Sequence, residues 1–97
     1  MKAKYIILED NSGMSLPVLF PGTVDHKEMA IRCQAKENKM LVLLEIVSAG
    51  KVTIWDASDC GIGVGVEHGS ITLGIDRNIE REKIDANIIQ SFFRDRA

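Results

Sequence analysis

The chain has 97 residues, of which 45% are hydrophobic and 27% are charged, and its formal net charge is −2. This length predicts one domain spanning residues 1–97, and the apolar share is too high for a disordered chain. The small negative charge argues against binding of DNA or RNA through bulk electrostatics. Two cysteines are too few for a disulfide scaffold and favour a reducing compartment, so we expect a cytoplasmic protein.

The apolar runs are too short for a membrane segment. The longest, Met40 to Leu44, cannot cross a bilayer. The charged start is followed only by the short apolar stretch Tyr5 to Leu8, which Glu9 ends, so we expect neither export nor membrane attachment.

The first twenty residues predict a β-hairpin. Residues 4–8 are rich in β-branched and aromatic side chains, and the turn formers of 9–13 follow them. Residues 14–20 alternate between apolar and other side chains, which is typical of a half-buried strand. Pro17 lacks an amide hydrogen, which predicts an edge strand or a bulge there.

Two helices are predicted from their capping residues. Asp25 resembles an N-cap with Glu28 three residues later, and the helix runs from His26 to about Ala35. Asn78 caps the last helix, which carries an amphipathic stripe and an i, i+4 ion pair. The stripe comprises Ile84, Ile88, Ile89, Phe92 and Phe93, and the pair is Arg81 with Asp85.

The middle of the chain predicts four more strands. Residues 40–47 are nearly all apolar, which fits a covered strand or a buried helix, and the turn 48–51 leads into the strand 52–55. Residues 61–66 and 70–75 alternate strictly and predict one strand each. The fold class is therefore α+β: an antiparallel sheet of about six strands in hairpins, with one short helix and one C-terminal amphipathic helix packed on it.

No catalytic or metal pattern is complete. The glycine series from Gly61 lacks the third glycine of a dinucleotide fingerprint and leads into a strand. The possible metal ligands Asp56, Asp59, Cys60 and His68 lack the short paired spacings of zinc sites. Neither Cys33 nor Cys60 lies in a nucleophile motif, so a small hydrolase needs a tertiary Cys–His pair. We predict a non-enzymatic protein with no metal and no cofactor.

Three features suggest ligand or partner binding, and each has a structural alternative. Gly61, Gly63 and Gly65 share one strand face, which admits a flat ligand or simply close packing. Trp55, the single tryptophan, is an aromatic platform, an interface anchor or a cover for the sheet under the last helix.

The third feature is a junction between a strand and a helix. Arg77, Asn78 and Arg81 gather there, where exposed N–H groups and guanidinium groups suit a phosphate, although solvated surface charge with an Asn cap is the more common explanation of such a cluster. Arg32 and His26 on the first helix are weaker candidates of the same kind.

The chain resembles small accessory proteins of tailed bacteriophages. The resemblance is carried by Tyr5–Ile7, Leu16–Pro21, His26, Ala30, Val47–Gly50, Trp55, Ser70–Ile75, Arg77 and Asp85. It implies a protein made in the host cytoplasm that binds and neutralises a host defence factor. Some such proteins trap cyclic nucleotide signals in pockets between subunits, which by analogy assigns phosphate contacts to Arg77, Asn78 and Arg81 and base stacking to Trp55 or Tyr5.

The apolar strands also exceed what one thin layer covers, so we expect a homo-oligomer. Its partner is then a phosphate-bearing small molecule or a host defence protein. The alternative is a protein-interaction or structural module with no small-molecule ligand, exposing an apolar patch near Trp55 or the last helix.

Overall fold

Four antiparallel strands form one sheet with the order β2-β1-β3-β4. The structure is a computed structural model that describes residues 1–40, 45–57 and 61–96. The strands are β1 (Lys2–Glu9), β2 (Ser15–Phe20), β3 (Glu45–Ala57) and β4 (Gly61–His68). Helix α1 (His26–Met40) lies between β2 and β3, and α2 (Ile79–Arg96) follows β4. No helix in the described ranges has both the length and the apolarity to cross a bilayer.

Each helix covers a different face of the sheet. The face under α1 carries Ile6, Leu8 and Ala49, and Ala30 of the helix packs on it. The opposite face packs against α2 and carries Tyr5, Ile7 and Val52, with Ile89 as the buried helix residue. We call these surfaces the α1 face and the α2 face. Because successive strand residues point to opposite faces, Tyr5 to Leu8 of β1 are buried on both sides.

A β-bulge in β3 places two consecutive residues on the α2 face. Ile7 pairs with Ser48 whereas Leu8 pairs with Ile46, so Val47 is the additional residue. Without the bulge, Ser48 would point to the α1 face with Ile46, because side chains alternate along a strand. The bulge instead turns the Ser48 hydroxyl toward α2, where it donates a hydrogen bond to Asp85.

Asp85 is fully buried, and donors from two strands and its own helix satisfy its carboxylate. The Tyr5 hydroxyl donates to Oδ2 over 2.6 Å, and the Ser48 hydroxyl donates to the same oxygen. The Arg81 guanidinium pairs with Oδ1 through Nε at 2.7 Å, which confirms the predicted i, i+4 pair. Burial and the neighbouring carboxylate both raise the pKa of Tyr5 well above its ordinary value, so this hydroxyl stays protonated and donates.

The first hairpin, both helix starts and the strand at 61 match the sequence predictions. Tyr5 pairs with Leu19 in the hairpin, and Pro17 lies on the edge strand β2 as its missing donor requires. The Asp25 side chain accepts the Glu28 amide as the N-cap of α1. Helix α1 continues past the predicted end at Ala35 to Met40, so it is longer than the short helix expected.

The predicted number of about six strands is wrong, because the described residues form four. Residues 48–51 are not a turn but the middle of the continuous strand β3, so the predicted second hairpin does not exist. Packing against neighbouring strands explains why residues 48–50 are small. A Cβ on Gly50 would lie 2.9 Å from the Tyr5 hydroxyl and 3.0 Å from the His68 Cα, which leaves room only for glycine. Residues 41–44 of the predicted strand 40–47 lie outside the described residues.

The predicted strand 70–75 is also wrong. Ser70 and Ile75 exchange two backbone hydrogen bonds of 2.9 and 2.8 Å around a tight turn. Gly74 adopts φ +68° in this turn, a conformation that glycine adopts at little cost. Leu73 and Ile75 pack against the core of the α1 face, while Ile71 is 99% exposed. The alternation in the sequence therefore reflects partial burial of a turn.

The buried carboxylate makes Asp85 the position most sensitive to substitution. We expect Asp85→Ala to lower the free energy of unfolding by about 2–4 kcal/mol, because it leaves Tyr5, Ser48 and Arg81 without their acceptor. Urea denaturation followed by circular dichroism measures the change. Asp76→Ala, at an exposed aspartate, is the control and should stay within about 0.5 kcal/mol of the parent. Equal stability of the two variants would contradict the assigned role of Asp85.

Candidate binding face

Helix α1 leaves one end of its sheet face uncovered. The helix starts where the His26 ring contacts the Gly50 carbonyl oxygen, 2.9 Å away, and packs toward Leu8 and Ile46. The opposite end of the same face carries side chains from β1, β3 and β4 that α1 does not reach. We call this surface the lysine–tryptophan face, and it consists of Lys2, Lys4, Lys51, Thr53, Trp55, Gly63 and Gly65.

The strand register arranges these residues in rows. Lys4 pairs with Lys51, which in turn pairs with Glu67 of β4. The next row joins Lys2 to Thr53 and Gly65, and the row after it joins Trp55 to Gly63. Directly paired residues of antiparallel strands point to the same face, with Cβ atoms about 4.5–5.5 Å apart. Lys4 and Lys51 therefore lie at one end of the face and Trp55 at the other, with Lys2 in the row between them.

Trp55 lies flat on the glycines of the neighbouring strand. A Cβ on Gly63 would collide with the indole ring, approaching Cζ2 to 2.7 Å, and one on Gly65 would lie 3.3 Å from Cζ3. The absence of side chains at Gly63 and Gly65 thus allows the tryptophan ring to pack directly on the backbone of β4. Trp55 points away from α2 and remains 50% exposed, so it does not cover the sheet beneath the last helix.

The three lysines carry uncompensated charge. The ion pairs found in the described part of the chain join Arg32 to Glu28, Arg77 to Glu82 and Arg81 to Asp85, and none involves Lys2, Lys4 or Lys51. Glu67 lies beside Lys51 in register but forms no ion pair with it. A shallow groove of about 750 Å³ runs over the three lysines, Thr53 and Gly65, reaches Gly22 before α1 and includes Glu67 on its β4 side. The chain is acidic overall, yet this face is cationic.

The arginines predicted to bind phosphate are paired with carboxylates instead. Arg77 contacts Glu82 at 3.1 Å, and Arg81 contacts the buried Asp85. Asn78 caps α2, because its side-chain Oδ1 accepts a hydrogen bond from the backbone amide of Arg81. The backbone amide of Asn78 donates to Nδ1 of His68. The junction is therefore a closed network of hydrogen bonds. The His68 amide and the Arg77 guanidinium hold the pKa of Glu82 below its ordinary value, which keeps it ionised.

The remaining predicted residues are dispersed. Tyr5 is fully buried, so a ligand base has no access to its ring. Arg32 pairs with Glu28 on the exposed side of α1. His26 is buried with its ring edge-on to Phe20 and its Nε2–H directed at the Gly50 carbonyl, although it adjoins the lysine end of the face. Of the residues predicted to contact phosphate or stack on a base, only Trp55 lies on the lysine–tryptophan face, together with Gly63 and Gly65 of the predicted glycine face.

The sequence pattern does not single out the three lysines, because each has another interpretation. Lys2 and Lys4 resemble the charged start of a leader, and Lys51 lies among residues typical of a turn. The available signal was their spacing: Lys2 and Lys4 share a strand face with Ile6 and Leu8. A strand face that changes from apolar to cationic is covered over only part of its length.

Within the described ranges, no three His, Cys, Asp or Glu side chains come together in a group that could hold a metal ion. Asp59 and Cys60 lie outside the described residues. Cys33 is partly buried against the core of the α1 face.

Comparison with known protein families, curated proteins and solved structures gives no match to this chain. The residues and their geometry therefore carry the functional argument.

The buried His26 predicts a pH dependence of stability. Burial lowers the pKa of His26 in the folded state, and the nearby Lys4 and Lys51 act in the same direction. The unfolded chain, with the ordinary histidine pKa near 6.5, therefore takes up a proton that the folded chain does not. The free energy of unfolding should fall on acidification from about pH 7.5 to 5.5, and His26→Gln should flatten this slope. An unchanged slope in the variant would contradict the role of His26.

The packing of the Trp55 ring on Gly63 and Gly65 predicts that a side chain at Gly63 displaces the ring. Gly63→Ala places a methyl group inside the Trp55 ring, so the ring must move. Since Trp55 is the only tryptophan, its fluorescence emission should shift to longer wavelength as the ring leaves the sheet. Gly22→Ala, where a Cβ meets nothing within 4 Å, is the matched control. Identical spectra for Gly63→Ala and the parent would refute the stacked arrangement.

Proposed function

We propose that this protein acts by non-covalent binding of a nucleotide-class ligand, an aromatic ring bearing phosphate, on the lysine–tryptophan face. The observation that carries the proposal is the exposed Trp55 ring, fixed on Gly63 and Gly65 beside three lysines that have no described carboxylate partner. A base stacked on such a ring gains about 1–3 kcal/mol, and lysine ammonium groups bind phosphate as point charges.

The number of aromatic residues favours a single base over a nucleic acid strand. Sheet surfaces that bind single strands stack successive bases on several aromatic side chains. Trp55 is the sole aromatic residue of the lysine–tryptophan face, and Glu67 flanks its lysine end. The net charge of −2 also disfavours a polyanion, whereas a small ligand senses only the local lysines.

The resemblance to phage accessory proteins provides the biological context of the proposal. In that context the protein sequesters a nucleotide signal of the host defence in the host cytoplasm, without chemical conversion. The proposed phosphate contacts are the lysines of the lysine–tryptophan face, in place of Arg77, Asn78 and Arg81. Self-association is part of the same proposal, because Met14 is 68% exposed and Ile71 is 99% exposed, and burial in a homo-oligomer would cover them.

The second candidate is a protein-interaction module with no small-molecule ligand. A groove between β2 and α2 favours it, because its lining is mainly apolar. The lining includes Met14, Leu16, Pro17, Ile88 and Phe92. This candidate requires no response of Trp55 to nucleotides, which separates it from the first.

Titration with adenosine 5′-triphosphate tests the leading proposal. We expect saturable quenching of Trp55 fluorescence, because the base stacks on the only indole ring of the chain. Lys51→Gln should weaken binding about two- to fivefold by removing one exposed charge, while Lys83→Gln, an exposed lysine on α2, should have no effect. Trp55→Ala, followed by calorimetry, should weaken binding about tenfold or more. Absence of binding at millimolar concentrations of nucleoside mono-, di- and triphosphates would refute the proposal.

A further inference from the structure

The geometry points to a nucleoside 5′-polyphosphate, rather than a monophosphate, as the ligand of the lysine–tryptophan face. This inference rests on the proposed function and specifies its ligand class. The base would stack on Trp55, and the phosphate chain would run parallel to the strands toward the beginning of α1.

The strand spacing places the cations at two distances from the ring. Residues two apart on one strand face are about 7 Å apart, so Thr53 lies one step and Lys51 two steps from Trp55. The register puts Lys2 beside Thr53 and Lys4 beside Lys51. Lys2 therefore lies in the first row, which the edge of the ring reaches over Gly65, and Lys4 and Lys51 lie in the second row, about 13 Å from the Trp55 backbone along β3.

A ligand that uses both rows needs more than one phosphate. Thr53 on β3 leaves a shallow surface beside the ring, which itself covers Gly65, and a ribose can lie over this threonine. The first phosphate attached to that ribose reaches the row of Lys2. Only additional phosphates extend to the pair of Lys4 and Lys51, where two like charges lie side by side without a described counter-ion.

The surroundings of the second row place the anion between β1 and β3. Glu67 lies on the β4 side of Lys51 and repels anions from that side. Helix α1 begins beside this row, where His26 contacts the Gly50 carbonyl next to Lys51. Asp25 is engaged as the cap of α1 through its bond to the Glu28 amide, 2.7 Å long.

An affinity series with adenosine and its mono-, di- and triphosphates tests the inference through Trp55 fluorescence. We expect affinity to rise with each phosphate, with the triphosphate bound about tenfold more tightly than the monophosphate. Lys2→Gln should weaken binding of the mono-, di- and triphosphate alike. Lys51→Gln should mainly weaken the di- and triphosphates and so reduce the tenfold preference to about threefold, whereas Lys51→Arg should restore it.

Two controls keep the outcomes distinct. Lys83→Gln should leave the whole series unchanged, and thermal unfolding should confirm that each variant is folded. Equal affinities for mono- and triphosphate would overturn the polyphosphate inference while leaving the proposed function intact. Binding of inorganic triphosphate as tightly as of the nucleoside triphosphate would overturn the role of Trp55 and with it the proposed function.

Discussion

The Asp85 carboxylate is the interaction on which the arrangement of the molecule depends. It is completely buried and joins Tyr5 of β1, Ser48 of β3 and Arg81 of α2. A buried charge is tolerated only where hydrogen bonds replace its hydration, so helix and sheet must meet in the one position that supplies all three donors. Gly50 serves the same contact, because a side chain there would displace the Tyr5 hydroxyl. The network thus fixes how α2 lies on the sheet.

Unequal coverage of the sheet by the two helices creates the candidate binding face. The residues of the α2 face pack on that helix along β3 and β4, including Val52, Ile54 and Val64. Helix α1 starts beside Gly50 and covers only the other half of its face. The sheet residues that α1 does not cover are lysine, threonine, tryptophan and glycine, which are compatible with exposure to solvent. The residue types of the lysine–tryptophan face therefore agree with its position outside the cover of α1.

Both edges of the sheet carry features that oppose the addition of a further strand. On β2, Pro17 removes a hydrogen-bond donor from an edge strand. On β4, side chains of α2 bind the backbone at both ends of the strand: Gln90 donates to the Ile62 carbonyl, and Glu82 accepts the His68 amide. Bonded groups cannot pair with another strand. Addition of a strand to the sheet is disfavoured, whereas stacking on Trp55 needs no backbone partner.

The amino-acid sequence predicts the α+β class, the first hairpin, both helix starts and the ion pair between Arg81 and Asp85. These features depend on local signals, namely capping residues, turn formers and the periods of apolar side chains. The course of β3 through 48–51 was decided by tertiary structure, because small residues that are typical of turns are needed there to admit Tyr5 and to reach Asp85. The lysine–tryptophan face also required the fold. Lys4 and Lys51 are distant in the chain and become neighbours only through the register of β1 and β3.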